Sequence, residues 1–277
     1  MTTIALISPG AMGASVGAAA VSNGHRVLWQ SNNRSQDTAN RARRAGLEGT
    51  DNTQEMFAQA DIVLSICPPS SANEVALLTS NHRFQGIFVE TNAISPQRTR
   101  SIHAQLGKQG IDCVDGGIIG GPAWDPSTDT QLYLSGDRAN DIARVFAGSA
   151  LNATVLNDKI GSASALKMTF AAYTKGTTAL LAAILAVAEH EGVREFLQSQ
   201  WGEDFSKQTA NRITDNASKA WRFSGEMQEI AATFATAGLP AGFHEAAADV
   251  FERLSDFKDV KQAPALTDFL ARLTSSD

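Results

Sequence analysis

Short apolar runs recur along the first 157 residues, separated by stretches that read as helices. Ile4-Ala5-Leu6-Ile7, His25-Arg26-Val27-Leu28-Trp29, Asp61-Ile62-Val63-Leu64-Ser65-Ile66, Ile87-Phe88-Val89-Glu90, Ile111-Asp112-Cys113-Val114 and Gln131-Leu132-Tyr133-Leu134 read as strands. Strands alternating with helices predict a mainly parallel, doubly wound α/β sheet with ligands at the carboxyl ends of its strands. Beyond Gly161 the pattern is helical only. Residues 162–191 hold no proline and one glycine and read as one long buried helix, followed by helices around 193–200, 204–236 and 241–256. Gly238-Leu239-Pro240 marks a break. The expected organisation is a sheet domain over residues 1–158 and an all-α domain over residues 159–277.

Candidate chemistry begins at the first strand's end. Ser8-Pro9-Gly10-Ala11-Met12-Gly13 joins that strand to an Ala-rich helix, the order that places a pyrophosphate on a helix N-terminus. Unpaired N–H groups of the first turn and the positive end of the helix dipole bind an anion, while Gly10 and Gly13 allow close approach. Gly17, one turn on, keeps the helix thin toward the sheet. After the second strand, Gln30-Ser31-Asn32-Asn33-Arg34-Ser35 lacks the acid that would grip a ribose 2′-hydroxyl. Hydroxyl, amide and guanidinium groups (Ser31, Asn32, Arg34) suit a 2′-phosphate instead, so the expected cofactor is NADP(H) rather than NAD(H). Cys67-Pro68 and Asn92 follow later strands and are further candidate cofactor contacts.

Composition narrows the class. At 277 residues the chain suits two domains, and its net charge of −6 is spread without the basic stripe a nucleic-acid binder carries. Cys67 and Cys113 lie in separate apolar runs and read as buried free thiols; no metal-ligand cluster is visible. The apolar run Ala179 to Ala188 is short of the ~20 residues of a membrane span, and the N-terminus starts a strand rather than a signal peptide. A cytoplasmic protein with a small-molecule substrate, and neither nucleic acid nor membrane as partner, is expected.

The glycine turn Ser8 to Gly13, the segment Thr91-Asn92-Ala93-Ile94-Ser95-Pro96, the segment Asp115-Gly116-Gly117-Ile118-Ile119-Gly120-Gly121-Pro122 and the helix start Gly161-Ser162-Ala163-Ser164-Ala165-Leu166-Lys167 occur in that order. Together they resemble the β-hydroxyacid dehydrogenase superfamily, which includes 3-hydroxyisobutyrate and 6-phosphogluconate dehydrogenases and is structurally close to the imine reductases. The resemblance implies a Rossmann-type domain, a 6-phosphogluconate dehydrogenase-like helical domain and a homodimer paired through the helices. It implies Lys167 as the general acid/base for hydride transfer between nicotinamide and a secondary alcohol or hydroxy acid, with Asn92 at the nicotinamide carboxamide. Alternatives are an imine reductase acting on C=N with NADPH, and an NADP(H)-binding protein without turnover.

Two positions depart from the family. Ala171 stands where an asparagine is usual; at ~100° per residue Thr174 and Thr178 return to the Lys167 face, so Thr174 is the candidate replacement, with Lys175 flanking. Ile119 replaces a serine that meets the substrate, leaving the backbone N–H groups of Gly120 and Gly121 and a more apolar pocket on that side. His244, opening a helix after Gly242-Phe243, is a further substrate-contact candidate. Trp124, Trp221 and Phe223 read as core.

Overall fold

Along β1 (Thr3–Leu6) the side chains alternate between two cores: Ile4 and Leu6 pack on one face of the sheet and Ala5 on the other. The same alternation holds in β4 (Ile62–Ser65), with Ile62 and Leu64 opposite Val63, and in β5 (Ile87–Glu90), with Ile87 and Val89 opposite Phe88. Burial on both faces explains why these runs are apolar throughout. With β2 (Arg26–Gln30), β3 (Glu48–Thr50), β6 (Asp112–Ile119), β7 (Thr130–Ser135) and β8 (Leu151–Asn157) they form one eight-stranded sheet of order β3-β2-β1-β4-β5-β6-β7-β8. Neighbours are parallel except β6 and β7, which pair antiparallel from Asp115↔Ser135 to Ile119↔Gln131.

The computed structural model describes residues 1–258, 260 and 262–275. The chain divides into two compact units, Met1–Lys167 and Met168–Asp277. In the first, α1 (Ala11–Ser22), α2 (Gln36–Arg44), α3 (Thr53–Gln59), α4 (Ala72–Asn81), α5 (Pro96–Gly107) and α6 (Ala139–Val145) connect the strands. α1 and α6 supply one core through Val16, Ala19, Ile142 and Val145; α3, α4 and α5 supply the other through Met56, Phe57, Val75, Ile102 and Leu106. Each large side chain removed from water contributes about 1.5–3 kcal/mol, which is what the alternation of strand and helix achieves. The division falls inside α7 (Ser162–Ala171), nine residues later than the boundary read at 158/159, because the first turn of α7 is bonded to β6 and β7.

The second unit is helical: α8 (Thr177–His190), α9 (Arg194–Trp201), α10 (Glu203–Thr214), α11 (Ala220–Thr236), α12 (Gly242–Glu252) and α13 (Leu266–Thr274). Three expectations are corrected. The long helix contains a π-helical segment, Ala172–Gly176, between α7 and α8, and part of its apolar surface (Phe170, Tyr173, Leu180 and Val187) is exposed. The stretch 204–236 is two helices, broken around Asp215-Asn216, and α13 lacked a predicted counterpart. By length and composition Ser162–His190 would pass as a membrane span, contrary to the reading from Ala179–Ala188; Ala182, Leu185 and Ala186 are buried on α8, which packs with α10, α12 and α13.

Candidate active site

The parallel strands end at one edge, and the glycine turn sits there. Gly10 caps α1 without a side-chain hydrogen bond, and no acid stands in the first turn, so the first-turn N–H groups face a site without a competing carboxylate. A Cβ on Gly13 would lie 2.2 Å from the Ser8 carbonyl oxygen, which makes glycine obligatory. At Gly17 it would lie 2.9 Å from Leu47 and 3.2 Å from Leu6, whereas at Gly10 nothing lies within 4 Å. Ser8, Pro9, Gly10, Ala11, Met12 and Gly13 thus form a backbone cradle with open space at Gly10, and these residues fit a dinucleotide pyrophosphate.

The loop after β2 differs from its expected use in part. Ser31 Oγ donates to the Thr50 carbonyl at 3.1 Å and Asn32 Nδ2 to the Asp51 carbonyl at 2.8 Å, so both side chains brace the loop after β3. Arg34 is exposed, and Ser35 caps α2 by accepting the Thr38 N–H. Arg41, which reads as one of a run of surface charges, donates from Nε to the Pro9 carbonyl at 3.2 Å and from Nη2 to Thr38 Oγ1 at 2.9 Å. It places a second cation beside the glycine turn.

Asn92 is also engaged internally. It is buried; its Oδ1 accepts the Cys67 N–H at 2.5 Å and its Nδ2 donates to Ser65 Oγ at 2.9 Å. Its amide therefore positions the Cys67-Pro68 backbone, a use different from the expected carboxamide contact. The Asn92 N–H donates to Glu90 Oε1 at 2.8 Å, and Glu90 Oε2 is buried without a partner. Burial, with a contribution from the Asp115 charge, pushes Glu90 up to about 8, so it is neutral at pH 7. Burial and Glu90 raise Cys67 to about 11, which keeps its thiol protonated.

Asp115, the register partner of Glu90, accepts four hydrogen bonds: Oδ2 from Ser135 Oγ (2.9 Å), Gly161 N (2.9 Å) and Ser164 N (3.1 Å), and Oδ1 from Ser164 Oγ (2.5 Å). Burial raises its pKa and these four donors oppose the shift. A carboxylate here complements the positive N-terminus of α7 and fixes the turn that leads to Lys167. β6 continues beyond the predicted Val114 because glycine lets both faces be approached: a Cβ on Gly116 would meet the Thr91 side chain at 2.5 Å, and one on Gly117 the Ala163 carbonyl at 2.7 Å and Lys167 Cβ at 3.2 Å. Lys167 is half-buried above Gly117. Ile119 ends the strand half-buried, Gly120 has φ +127°, Thr130 Oγ1 donates to the Gly121 carbonyl at 2.7 Å, and a Cβ on Gly121 would meet nothing.

In the helical unit Thr174 Oγ1 donates to the Phe170 carbonyl at 3.1 Å, so its hydroxyl proton serves its own helix, and the π segment breaks the 3.6-residue period that placed it on the Lys167 face. His244 is buried between Phe234 and Phe243, with ring centroids at 4.2 and 5.3 Å, and burial lowers its pKa. Its place is among packed rings of the helical unit. A cavity of about 590 Å³ at the opposite, N-terminal ends of the strands is lined among others by Asp112, Arg138, Asp141 and Arg144, which pair with one another.

The family pattern described as the NAD binding domain of 6-phosphogluconate dehydrogenase matches residues 3–147, more than half the chain. The chain belongs to this family. It is an NAD(P)-dependent oxidoreductase of the β-hydroxyacid dehydrogenase-like superfamily. Residues 188–254 match a domain of unknown function, DUF1932. An uncharacterized 28.5 kDa protein of Methanothermus fervidus is 27% identical over 202 residues, 71% of this chain and 77% of its own. Among solved structures, a conserved protein noted for similarity with 3-hydroxyacid dehydrogenases is 27% identical at a TM-score of 0.66, covering 92% of this chain and 97% of that one. The Mycobacterium tuberculosis 3-hydroxyisobutyrate dehydrogenase shares the fold at 19% identity and TM-score 0.70, over 99% and 100% of the two chains. The Myxococcus stipitatus imine reductase with NADP+ does so at 18% and 0.58, over 98% and 100%.

Proposed function

We propose that this protein is an NADP(H)-dependent dehydrogenase interconverting a secondary alcohol or hydroxy acid and its carbonyl form, with Lys167 as the general acid/base. The observation that carries the reading is the anchoring of the α7 N-terminus on Asp115 by three hydrogen bonds, which seats Lys167 above Gly117 at the edge that holds the glycine turn. The pyrophosphate cradle is Ser8 to Gly13; the 2′-phosphate lies toward Arg34 and Arg41, where no acid follows β2 to repel it. A bound nicotinamide supplies or accepts the hydride. Lys167 takes the hydroxyl proton in oxidation and returns it to the carbonyl oxygen in reduction. The substrate edge at Ile119-Gly120-Gly121 offers backbone N–H groups beside an apolar side chain, which disfavours a small free acid and favours bulkier compounds.

Lys167→Met keeps the methylene packing and removes the proton-transfer group. Turnover is expected to fall on the order of a hundredfold or more with cofactor affinity kept. A panel of hydroxy acids, phosphorylated sugar acids and cyclic imines followed by cofactor absorbance reads this. Turnover within a few-fold of wild type, or imines as the preferred substrates, overturns the dehydrogenase assignment in favour of an imine reductase. NADP(H) binding with no turnover of any compound favours the non-catalytic reading. We also propose a homodimer and a cytoplasmic location.

A further inference from the structure

A cavity of about 440 Å³ lies wholly within the helical unit, lined among others by Tyr173, Thr174, Lys175, Arg212, Asn216 and Phe223. Three of these stand on the π segment Ala172–Gly176. A π turn widens the helix and reorients its carbonyls, and such turns concentrate at functional sites. Arg212 braces this one: Nη2 donates to the Thr174 carbonyl at 2.7 Å and Nε to Thr178 Oγ1 at 2.8 Å. Both bonds use the same edge of the guanidinium. Its other fork, formed by Nη1 and the second Nη2 proton, has no acceptor among the described residues. The Tyr173 ring covers the guanidinium plane at 6.0 Å and is itself largely exposed.

The second cation of the cavity is already matched. Lys175 pairs with Glu226 and lies 4.8 Å above the Phe223 ring. With that pair neutralised, Arg212 leaves one net positive charge, presented between two aromatic rings and the Asn216 amide. A pre-oriented guanidinium fork binds carboxylate or phosphate with two parallel hydrogen bonds, and the rings bury an apolar body next to it.

We infer that this cavity is a subsite for an organic anion, a carboxylate or phosphate on an apolar or aromatic body, which the free fork of Arg212 grips.

The test titrates the full chain, saturated with NADP(H), with phenylacetate, phenyl phosphate and the neutral phenylacetamide by calorimetry. Wild type is expected to bind at least one of the two anions tenfold or more tighter than the amide; the tighter anion assigns the site to carboxylic acids or to phosphate esters. Arg212→Gln removes that preference. Because Arg212 also braces the π segment, Asn216→Asp provides a second variant that adds a negative charge to the lining; it removes the Asn216 Nδ2 donation to the Arg212 carbonyl and touches neither acceptor of the Arg212 side chain. It is expected to weaken the anion tenfold or more with little effect on phenylacetamide. Equal binding of acid and amide by wild type, or anion affinity unchanged in both variants, overturns the subsite. Lys167→Met separates the two readings: anion preference kept with turnover lost supports both, whereas anion preference in a wild type that turns over no hydroxy or oxo compound keeps the subsite and removes the dehydrogenase.

Discussion

Glu90 is a carboxyl placed where its charge is unwelcome. One oxygen accepts the Asn92 N–H, the other is buried without a partner, and Asp115 lies across the strand pair. The folded protein holds this proton up to about pH 8, whereas the unfolded chain releases it near 4.5. The folded state therefore binds more protons across that window, and stability falls as pH rises from about 4.5 to about 8. Glu90→Gln keeps the acceptor and cannot ionise, so it is expected to raise the melting temperature more at pH 8 than at pH 5, with a relief of a few kcal/mol at most. Thermal unfolding at the two pH values checks this; an identical shift at both contradicts it. At the cofactor, Arg34→Ala and Arg41→Ala are each expected to weaken NADPH by roughly 1–3 kcal/mol and leave NADH nearly unchanged, read by fluorescence titration. Arg34 was conspicuous in the sequence because it stands where an acid is normally found. Arg41 was not: its partner is the Pro9 carbonyl, 32 positions away, and a main-chain acceptor leaves no mark on composition.

Among the elements, the strands and α1 could be read because burial on two faces demands continuous apolar runs and Gly13 has no alternative at 2.2 Å from Ser8. β3 is Glu48-Gly49-Thr50, with two of its three residues exposed, and carries no such pattern. The π segment was equally silent: a one-residue change in helical winding alters no residue type, yet it undoes the angular argument for Thr174. α7 shows the opposite case, a motif legible as a string whose mechanical basis lies elsewhere in the chain. Asp115→Ala removes the acceptor of Gly161 N, Ser164 N, Ser164 Oγ and Ser135 Oγ at once, and unsatisfied buried donors cost about 1–3 kcal/mol each. The expected result is a lower melting temperature, faster amide exchange at Gly161 and Ser164, and a reduced kcat with cofactor affinity unchanged. Asp115→Asn, which retains a carbonyl acceptor, should recover part of each. A fall in cofactor affinity equal to the fall in kcat would contradict a positioning role.

For the whole molecule, the exposed apolar side chains are concentrated in the second unit: Leu180, Val187, Phe196, Phe205, Leu239 and Phe243 among them. Exposed apolar groups in this number mark an association surface, and the homodimer proposed above would pair through it. Wild type is expected to sediment as a dimer, and Val187→Glu, a change at a side chain 61% exposed in the single chain, as a folded monomer. A monomeric wild type would rule the pairing out.

Strand order carries a consequence for how the protein is made. β1 is flanked by β2 on one side and β4 on the other, and from β4 onward each new strand joins the same advancing border in sequence order: β5, β6, β7, then β8. No strand has to be inserted between two already paired. By the time Ser65 has left the ribosome, four adjoining strands and the entire glycine turn exist, so the nucleotide cradle can be complete while the lysine-bearing helix is still about a hundred codons from translation.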